Sequence, residues 1–211
     1  MPSHNIGDKT NLDKGNLFLQ LKAKNEKVAF RLAQGNYTYT AKHFSKKDGK
    51  WFIEQCPRLM TEEPCSECEK YFALSKEIKE LKEKKAPESK IKALDNERGL
   101  HKPKVTFHYA ILNRDLKQAQ VIQVPLSIRL KIEEYFNNGF TVVGSDFILT
   151  RTEKPGVEYY SFLKKDSADV VELDDEEKKE YKKAEEFNLT ELTLAKEGSH
   201  NVEEPPVPEE Q

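Results

Sequence analysis

The stretch Lys104-Val-Thr-Phe-His-Tyr-Ala-Ile-Leu-Asn-Arg114 carries a strong strand signal in this chain of 211 residues. β-branched and aromatic residues predominate at positions 105–112, and positions 120–124 form a second strand-like segment after a short polar interval. Phe107 and Tyr109 fall on one face of the predicted strand, because side chains alternate between faces with a period of two. We therefore expect a body built around β-strands.

Short strand-like segments, separated by turn residues, extend in both directions from this stretch. The pairs Gly35-Asn36 and Asp48-Gly49 separate neighbouring segments on the N-terminal side, as turn residues do between strands. Lys154-Pro155-Gly156 predicts a turn between two segments near the other end. The predicted strands cover residues 17–21, 28–32, 37–44, 51–55, 105–112, 120–124, 147–152 and 157–163.

Three segments show helical spacing instead of alternation. Residues 65–99 carry apolar positions at helical intervals with a break at Ala86-Pro87, which predicts two helices or one kinked helix. Residues 125–138 place Ile128, Ile132 and Phe136 on one face, and residues 174–187 form a charged helix. Together with the strands, these segments predict a mainly β fold with helical insertions (α+β), arranged as a small barrel or sandwich.

Charge is distributed unevenly along the chain. The whole sequence has 35 Lys+Arg against 37 Asp+Glu, a formal net charge of −2. Residues 166–211 hold 16 acidic and 5 basic residues, a net charge of −11, which leaves +9 on residues 1–165. This asymmetry favours a basic body with an acidic, disordered tail. The competing interpretation is that both parts are ordinary solvated surfaces.

Several classes of protein are disfavoured by absent patterns. No apolar run approaches the roughly 20 residues of a membrane span, and residues 1–5 do not begin a signal peptide, so we expect a cytoplasmic protein. There is no strand, glycine-rich loop and helix unit of the kind that cradles nucleotide phosphates. The acidic residues lie mostly on charged helices and the tail, so we expect no enzyme.

All three cysteines fall in one short segment. Cys65-Ser-Glu-Cys68 has the spacing with which two thiolates bind one tetrahedral metal from a tight turn, and Cys56 adds a third thiolate. Structural zinc takes a fourth ligand, and a strand pair turning at residues 47–50 would return His43 to the side of Cys56. The predicted structural zinc site is therefore His43, Cys56, Cys65 and Cys68. Three free thiols or a redox pair are the alternatives to a metal site, and His101 and His108 are the rival fourth ligands.

Basic and aromatic side chains are interleaved on the predicted strands. Single-stranded nucleic acid is held by cations along its phosphates and by aromatic rings that stack on its bases. Core packing competes with this role for each aromatic residue, and a solvated surface competes for each cation. The candidate DNA-binding residues are Arg31, Tyr37, Tyr39, Lys42, Trp51, Phe107, Tyr109, Arg114, Arg129, Arg151, Tyr159 and Tyr160.

With these motifs in view, the chain resembles phage single-stranded DNA-binding proteins of the T-even helix-destabilising type. His43 and the three cysteines, separated by twelve, eight and two residues, closely follow that family's one-His, three-Cys zinc pattern. The segments 104–114, 125–129 and 145–152 and the pair Tyr159-Tyr160 are also similar. The resemblance covers roughly residues 15–165, and the tail matches in its acidic character.

The resemblance implies a fold, a cofactor and partners. It implies an oligonucleotide-binding (OB) barrel with one structural Zn²⁺ per chain, which coats single-stranded DNA in phage replication, recombination and repair. It also implies that the acidic tail recruits replication and recombination proteins and screens the DNA groove. The basic N-terminal motif of the family has no match here, because residues 1–15 hold only Lys9 and Lys14.

These inferences define a domain plan and leave two alternatives open. One alternative is a zinc-containing phage accessory protein that binds a polymerase or host factor, and the other is an RNA-binding OB protein. The plan comprises a flexible arm (1–15), a DNA-binding core (16–165) with a zinc subdomain (43–68) and a charged helical insertion (69–99), a linker helix (166–187) and an acidic tail (188–211).

Overall fold

The computed structural model describes residues 17–21, 25–47, 50–154, 157–165 and 171–197, which contain eight strands and six helices. The predicted arm (1–15) and residues 198–211 lie outside this part of the chain. The strands are β1 (Phe18–Leu19), β2 (Lys27–Leu32), β3 (Thr38–Lys47), β4 (Lys50–Gln55), β5 (Lys104–Asn113), β6 (Gln118–Pro125), β7 (Asp146–Lys154) and β8 (Val157–Lys164). The helices are α1 (Pro57–Met60), α2 (Ser66–Glu83), α3 (Glu88–His101), α4 (Leu126–Asn137), α5 (Asp175–Glu185) and α6 (Leu189–Glu197).

The chain is a mixed α/β protein whose strands form one eight-stranded sheet. Six strands follow the order β1-β6-β5-β2-β7-β8, while β3 pairs with β4 and β5. Every pairing with a defined register is antiparallel except that of β1 with β6. Among the described strands β1 and β8 are not joined, so the sheet is not closed into the barrel that we expected. The strand β1 is two residues long, and its ladder among the described residues is the one with Val121 and Ile122 of β6.

The described residues divide into two compact units. The first unit contains the residues up to Tyr39 and those from Thr106 onward, and the second is Thr40–Val105. In the first unit, β5 is buried from Phe107 to Asn113 without interruption. An uninterrupted buried run indicates that both faces of the strand are covered.

Two kinds of contact form the core of the first unit. The rings of Phe30, Phe147 and Phe162 pack together, with Phe147 and Phe162 stacked at 4.9 Å between centroids. A second cluster joins small residues of β5 and β6 to the C-terminal helices, where Leu189 and Leu192 of α6 are buried. Burial of each leucine contributes about 1.5–3 kcal/mol.

The C-terminal helices are part of the folded body. A capping box begins α5. The Asp174 carboxylate accepts a hydrogen bond from the Glu177 backbone N–H, and the Glu177 carboxylate accepts one from the Asp174 backbone N–H. The sequence did not predict α6, which lies inside the segment 188–211 that we predicted as acidic tail. Its buried leucines tie this part of the segment to the core.

The second unit has a small core dominated by the cysteines. It contains the β3–β4 hairpin, α1 and the helices α2 and α3, which are separate helices on either side of Ala86-Pro87, as the break predicts. Only Cys68 and Ile78 of α2 are buried, and α3 buries none of its residues. The buried cluster consists of Ala41 and the three cysteines, with Met60 and Val105 packed against it. No helix in the described residues is long and apolar enough to cross a membrane.

Candidate functional site

The four predicted zinc ligands come together in the second unit. The β3–β4 hairpin pairs His43 with Glu54 and Lys47 with Lys50, which brings β4 back along β3 as the sequence predicted. The Cys56 backbone N–H then donates to the Ala41 carbonyl at 2.8 Å, so that Cys56 lies next to the histidine strand. One ligand atom from each of the four residues falls within 4.8 Å of the others.

The CxxC pair is positioned by the start of a helix. Cys65 is the N-cap of α2, and Cys68 lies in its first turn. Backbone N–H groups at a helix N-terminus point outward and favour negative charge, so thiolates are stabilised there. The two-residue spacing therefore directs both sulfurs to the same point, next to the end of the hairpin.

Three distances in the cluster are close to those between the ligands of a tetrahedral metal. The His43 Nε2 atom lies 3.4 Å from Cys65 Sγ and 3.5 Å from Cys68 Sγ, and the sulfurs of Cys56 and Cys68 are 3.4 Å apart. Zinc bond lengths and tetrahedral angles require about 3.6 Å between N and S ligands and about 3.8 Å between two S ligands. A disulfide would need about 2.05 Å, and all three cysteines are free.

The electrostatics of the thiols favour a cation at their centre. Burial raises the pKa of Cys68 to about 12, and its contacts with the neighbouring thiols add to this effect. Burial also opposes ionisation of Cys65, but hydrogen bonds from the Cys68 backbone and from the neighbouring side chains lower its pKa overall. Three sulfurs at this spacing cannot all carry charge without a cation, and a metal supplies that charge.

The buried cluster therefore has the donor set for one metal ion, compatible with structural zinc. All four ligands are at most 5% exposed, and four protein ligands complete a tetrahedron and leave no position for substrate. The rival histidines lie elsewhere: His101 Nδ1 is 2.6 Å from the Glu67 carboxylate, and His108 is buried in β5 of the first unit.

Five of the predicted DNA-binding residues meet in the first unit. The Tyr37 ring lies 5.4 Å from the rings of both Phe107 and Tyr109, and the Tyr39 ring lies 6.2 Å from Phe107. The Arg129 guanidinium, on α4, lies 5.4 Å from the Tyr37 ring centre and 5.7 Å from that of Phe107. We call Tyr37, Tyr39, Phe107, Tyr109 and Arg129 the aromatic cluster.

The aromatic cluster mixes exposed and buried rings. Tyr37 and Tyr39 are 40% and 39% exposed, whereas Phe107 and Tyr109 are buried beneath them. Burial raises the pKa of Tyr109, and the nearby Tyr37 adds to this effect, so its hydroxyl stays neutral. The Arg129 guanidinium also forms an ion pair with the Glu133 carboxylate, at 3.0 Å. The cluster therefore presents ring faces and one guanidinium at its surface.

A cavity of about 500 Å³ opens beside this cluster. Its lining includes Tyr37, Tyr109 and Arg129 of the aromatic cluster and the side chains of Phe136, Phe140 and Val143. The sequence predicts Phe136 on the same helix face as Ile128 and Ile132, which are buried, but the structure leaves Phe136 70% and Phe140 52% exposed. In the sequence, the two phenylalanines on either side of the Asn137-Asn138-Gly139 turn are the pattern that could have indicated this exposed aromatic pair.

Two predicted DNA-binding arginines are engaged in internal ion pairs. Arg31 is buried and donates to both oxygens of Asp146, at 2.8 and 2.9 Å, and also to the Val171 carbonyl. Arg114 donates to the same carbonyl and lies 3.5 Å from Glu177. Because only 10% of the Arg31 side chain and 13% of the Arg114 side chain are exposed, against 24% for Arg129, we leave Arg31 and Arg114 out of the candidate interface.

The remaining predicted residues are dispersed. Arg151 and Tyr160 are register partners on the β7–β8 ladder, and Arg151 donates to the Leu21 carbonyl at 3.2 Å. Lys42 lies on β3 in the second unit. Trp51 and Tyr159 lie on β4 and β8, but their side chains are outside the described part of the structure.

Comparisons with known proteins add no family. No protein-family model matches the chain, and no curated protein matches it.

Proposed function

We propose that this chain is a single-stranded DNA-binding protein that coats and protects single strands largely independently of sequence. The observation that carries the proposal is the aromatic cluster, where the Arg129 guanidinium lies over two rings beside exposed Tyr37 and Tyr39. Stacking of one base on an aromatic side chain is worth about 1–3 kcal/mol and tolerates any base. A guanidinium next to such rings pairs with the phosphate. The role in phage replication, recombination and repair comes from the resemblance alone.

The proposed function includes a structural zinc in the second unit. When bound, the metal would link the β3–β4 hairpin to the start of α2 through His43, Cys56, Cys65 and Cys68. Since these residues are most of the buried cluster there, the metal would replace a hydrophobic core that this unit lacks. We further propose that the open sheet is a partly open version of the OB architecture, which is known for incomplete closure.

Charge supports the same assignment. The body to residue 165 carries +9 by composition, and phosphate neutralisation releases counterions, so the affinity should fall steeply with salt. No ATP or catalysis is required, because preferential binding to single strands shifts the melting equilibrium by mass action. The proposed partner of the residues beyond Glu197 is a replication or recombination protein.

A fluorescence anisotropy titration with labelled oligothymidylate tests the proposal. We expect binding that weakens with salt, and we expect Arg129→Ala to weaken it about tenfold through loss of the phosphate contact and of the ring stacking. Lys131→Ala is the matched control, because it removes the same charge from an exposed position on the same helix. Binding that is absent at low salt would refute the function and favour a protein-binding accessory role. Equal loss in both variants would refute the role of the cluster. Tighter binding to oligouridylate than to oligothymidylate would favour RNA as the ligand.

A further inference from the structure

The cavity beside the aromatic cluster has the size and composition of a ligand pocket. Its volume of about 500 Å³ lies within the range of roughly 300–1,000 Å³ for small-molecule sites. Its walls are aromatic and aliphatic, and the polar residues that line it include Arg129, Glu133 and Thr141. An apolar cavity with a few convergent polar groups is the ordinary composition of a binding site.

The phenylalanines at the cavity indicate a flat ligand. Phe136 and Phe140 are large and mostly exposed, on a chain in which 34% of the residues are charged. Contiguous exposed apolar surface in such a protein marks a place where something binds. A planar ring that enters the cavity could stack against these aromatic side chains, which together with Tyr37 and Tyr109 line it.

The rim of the cavity carries groups that recognise a nucleotide. The Arg129 Nε atom is buried and has no hydrogen-bond partner among the described residues, while its terminal nitrogen bonds the Glu133 carboxylate. The Arg129 guanidinium and the Glu133 carboxylate lie side by side, so they offer hydrogen-bond donors and acceptors to the polar edge of a base. The remaining guanidinium donors suit a phosphate at the rim.

We propose that this cavity takes one unstacked base of a bound single strand. The inference rests on the proposed function and adds to it that one base leaves the stack and enters a pocket between α4 and the Tyr37 ring. The neighbouring bases stack on the exposed tyrosines, and Arg129 holds the phosphate next to the inserted base. A pocket that encloses one base gives the single strand an advantage over a duplex, where the bases are paired and stacked.

The experiment compares two ligands on the full chain. One ligand is an oligothymidylate of about 12 nucleotides, a length within the range that one OB fold covers, and the other is the same sugar–phosphate chain without bases. Val143→Trp fills the cavity from an exposed lining position, and Leu116→Trp is the matched control at an exposed position outside it. Phe136→Ala removes a wall at a position where truncation leaves no hole in the core.

We expect Val143→Trp and Phe136→Ala each to weaken oligothymidylate binding about tenfold, because one base contact is lost. Binding to the abasic chain should not change, since the phosphate contacts remain, and Leu116→Trp should leave both affinities unchanged. Wild-type affinity for oligothymidylate in both pocket variants would overturn the pocket while leaving the proposed function intact. An equal loss of affinity for oligothymidylate and for the abasic chain would also overturn the pocket. A wild-type chain that binds neither ligand would refute both proposals.

Discussion

At the scale of single residues, the cluster of His43 with the three cysteines is the feature best specified by the sequence. Thiolates and imidazole bind zinc with fixed lengths and angles, so the spacing of the ligands in the chain constrains how the chain folds around them. The spacing alone left three histidines in competition for the fourth position. The hairpin register resolves this choice, because it places His43 Nε2 within 3.5 Å of two cysteine sulfurs.

The first prediction concerns these ligands. We expect protein purified without chelator to contain one zinc per chain, and His43→Ala and Cys65→Ser to lose it, because each variant removes one corner of the tetrahedron. His101→Gln is the control, since His101 bonds Glu67 and lies outside the ligand set. Metal analysis by mass spectrometry gives the result. Metal-free wild-type protein, or zinc retained in Cys65→Ser, would contradict the assignment.

Arg31 illustrates what the sequence could not predict. A charge count treats every arginine as available to phosphate, but its actual partner, Asp146, lies 115 residues further along the chain. Tertiary pairing at that separation leaves no local pattern. By contrast, the alternation of Tyr37, Tyr39, Phe107 and Tyr109 was visible locally, and the structure brings these rings together.

The second prediction tests the assignment of Arg31 to the fold. Arg31→Leu leaves the Asp146 carboxylate buried without its partner, so we expect a loss of about 3–5 kcal/mol in the free energy of unfolding. Urea denaturation measures this loss. The double variant Arg31→Leu/Asp146→Leu should recover much of it, because no unpaired charge remains buried. Full stability in the single variant, with weakened DNA binding, would instead support direct phosphate contact by Arg31.

At the scale of elements, the sequence predicted most strands and helices and missed the two short helices α1 and α6. Strands such as β5 and β8 carry β-branched and aromatic residues over several positions, and α4 begins and ends at recognisable signals. The helix α6 is short and lies in an acidic region, so composition indicated disorder there. What holds it is burial of Leu189 and Leu192 against the sheet, which depends on residues far away in the chain.

The third prediction separates α6 from the acidic residues that follow it. Truncation after Glu197 removes four glutamates and keeps the helix, so we expect tighter oligothymidylate binding at low salt and little change at high salt, where charges are screened. Truncation after Asn188 removes both buried leucines and should lower the free energy of unfolding by about 3 kcal/mol or more. Anisotropy titrations and urea denaturation give the two results. Unchanged affinity at low salt after the first truncation would exclude competition by the tail.

At the scale of the whole molecule, residues 1–165 carry a net charge of +9 and residues 166–211 a net charge of −11. This contrast contributes to the fold as well as to binding. Part of the acidic region is already bound to basic groups of the body. Asp174 pairs with Lys117, and Glu177 lies 3.5 Å from Arg114, while the Glu180 carboxylate accepts from the Ala119 backbone N–H at 3.0 Å. Charge that we attributed to a competing tail therefore also anchors α5 to the sheet.

The two units differ in what stabilises them. The first has a conventional core of stacked phenylalanines and aliphatic residues, which does not depend on a metal. The second buries little apart from the cysteine cluster, Ala41 and Ile78, and two of its three helices, α1 and α3, bury none of their residues. With a metal bound to the cysteine cluster, a unit of that kind would derive much of its folding free energy from metal binding.

The last prediction follows from this difference. We expect a chelator to abolish amide hydrogen-exchange protection in Thr40–Val105 while β5 from Phe107 onward and β6 keep theirs, because only the second unit needs the metal for its core. Hydrogen–deuterium exchange with mass spectrometry, with and without chelator, resolves the two units. His43→Ala should reproduce the chelated pattern without chelator, and His101→Gln should not. Loss of protection throughout the chain would mean that the units unfold as one. Unchanged protection in Thr40–Val105 would mean that the cluster is stable without metal and that the second unit has another source of stability.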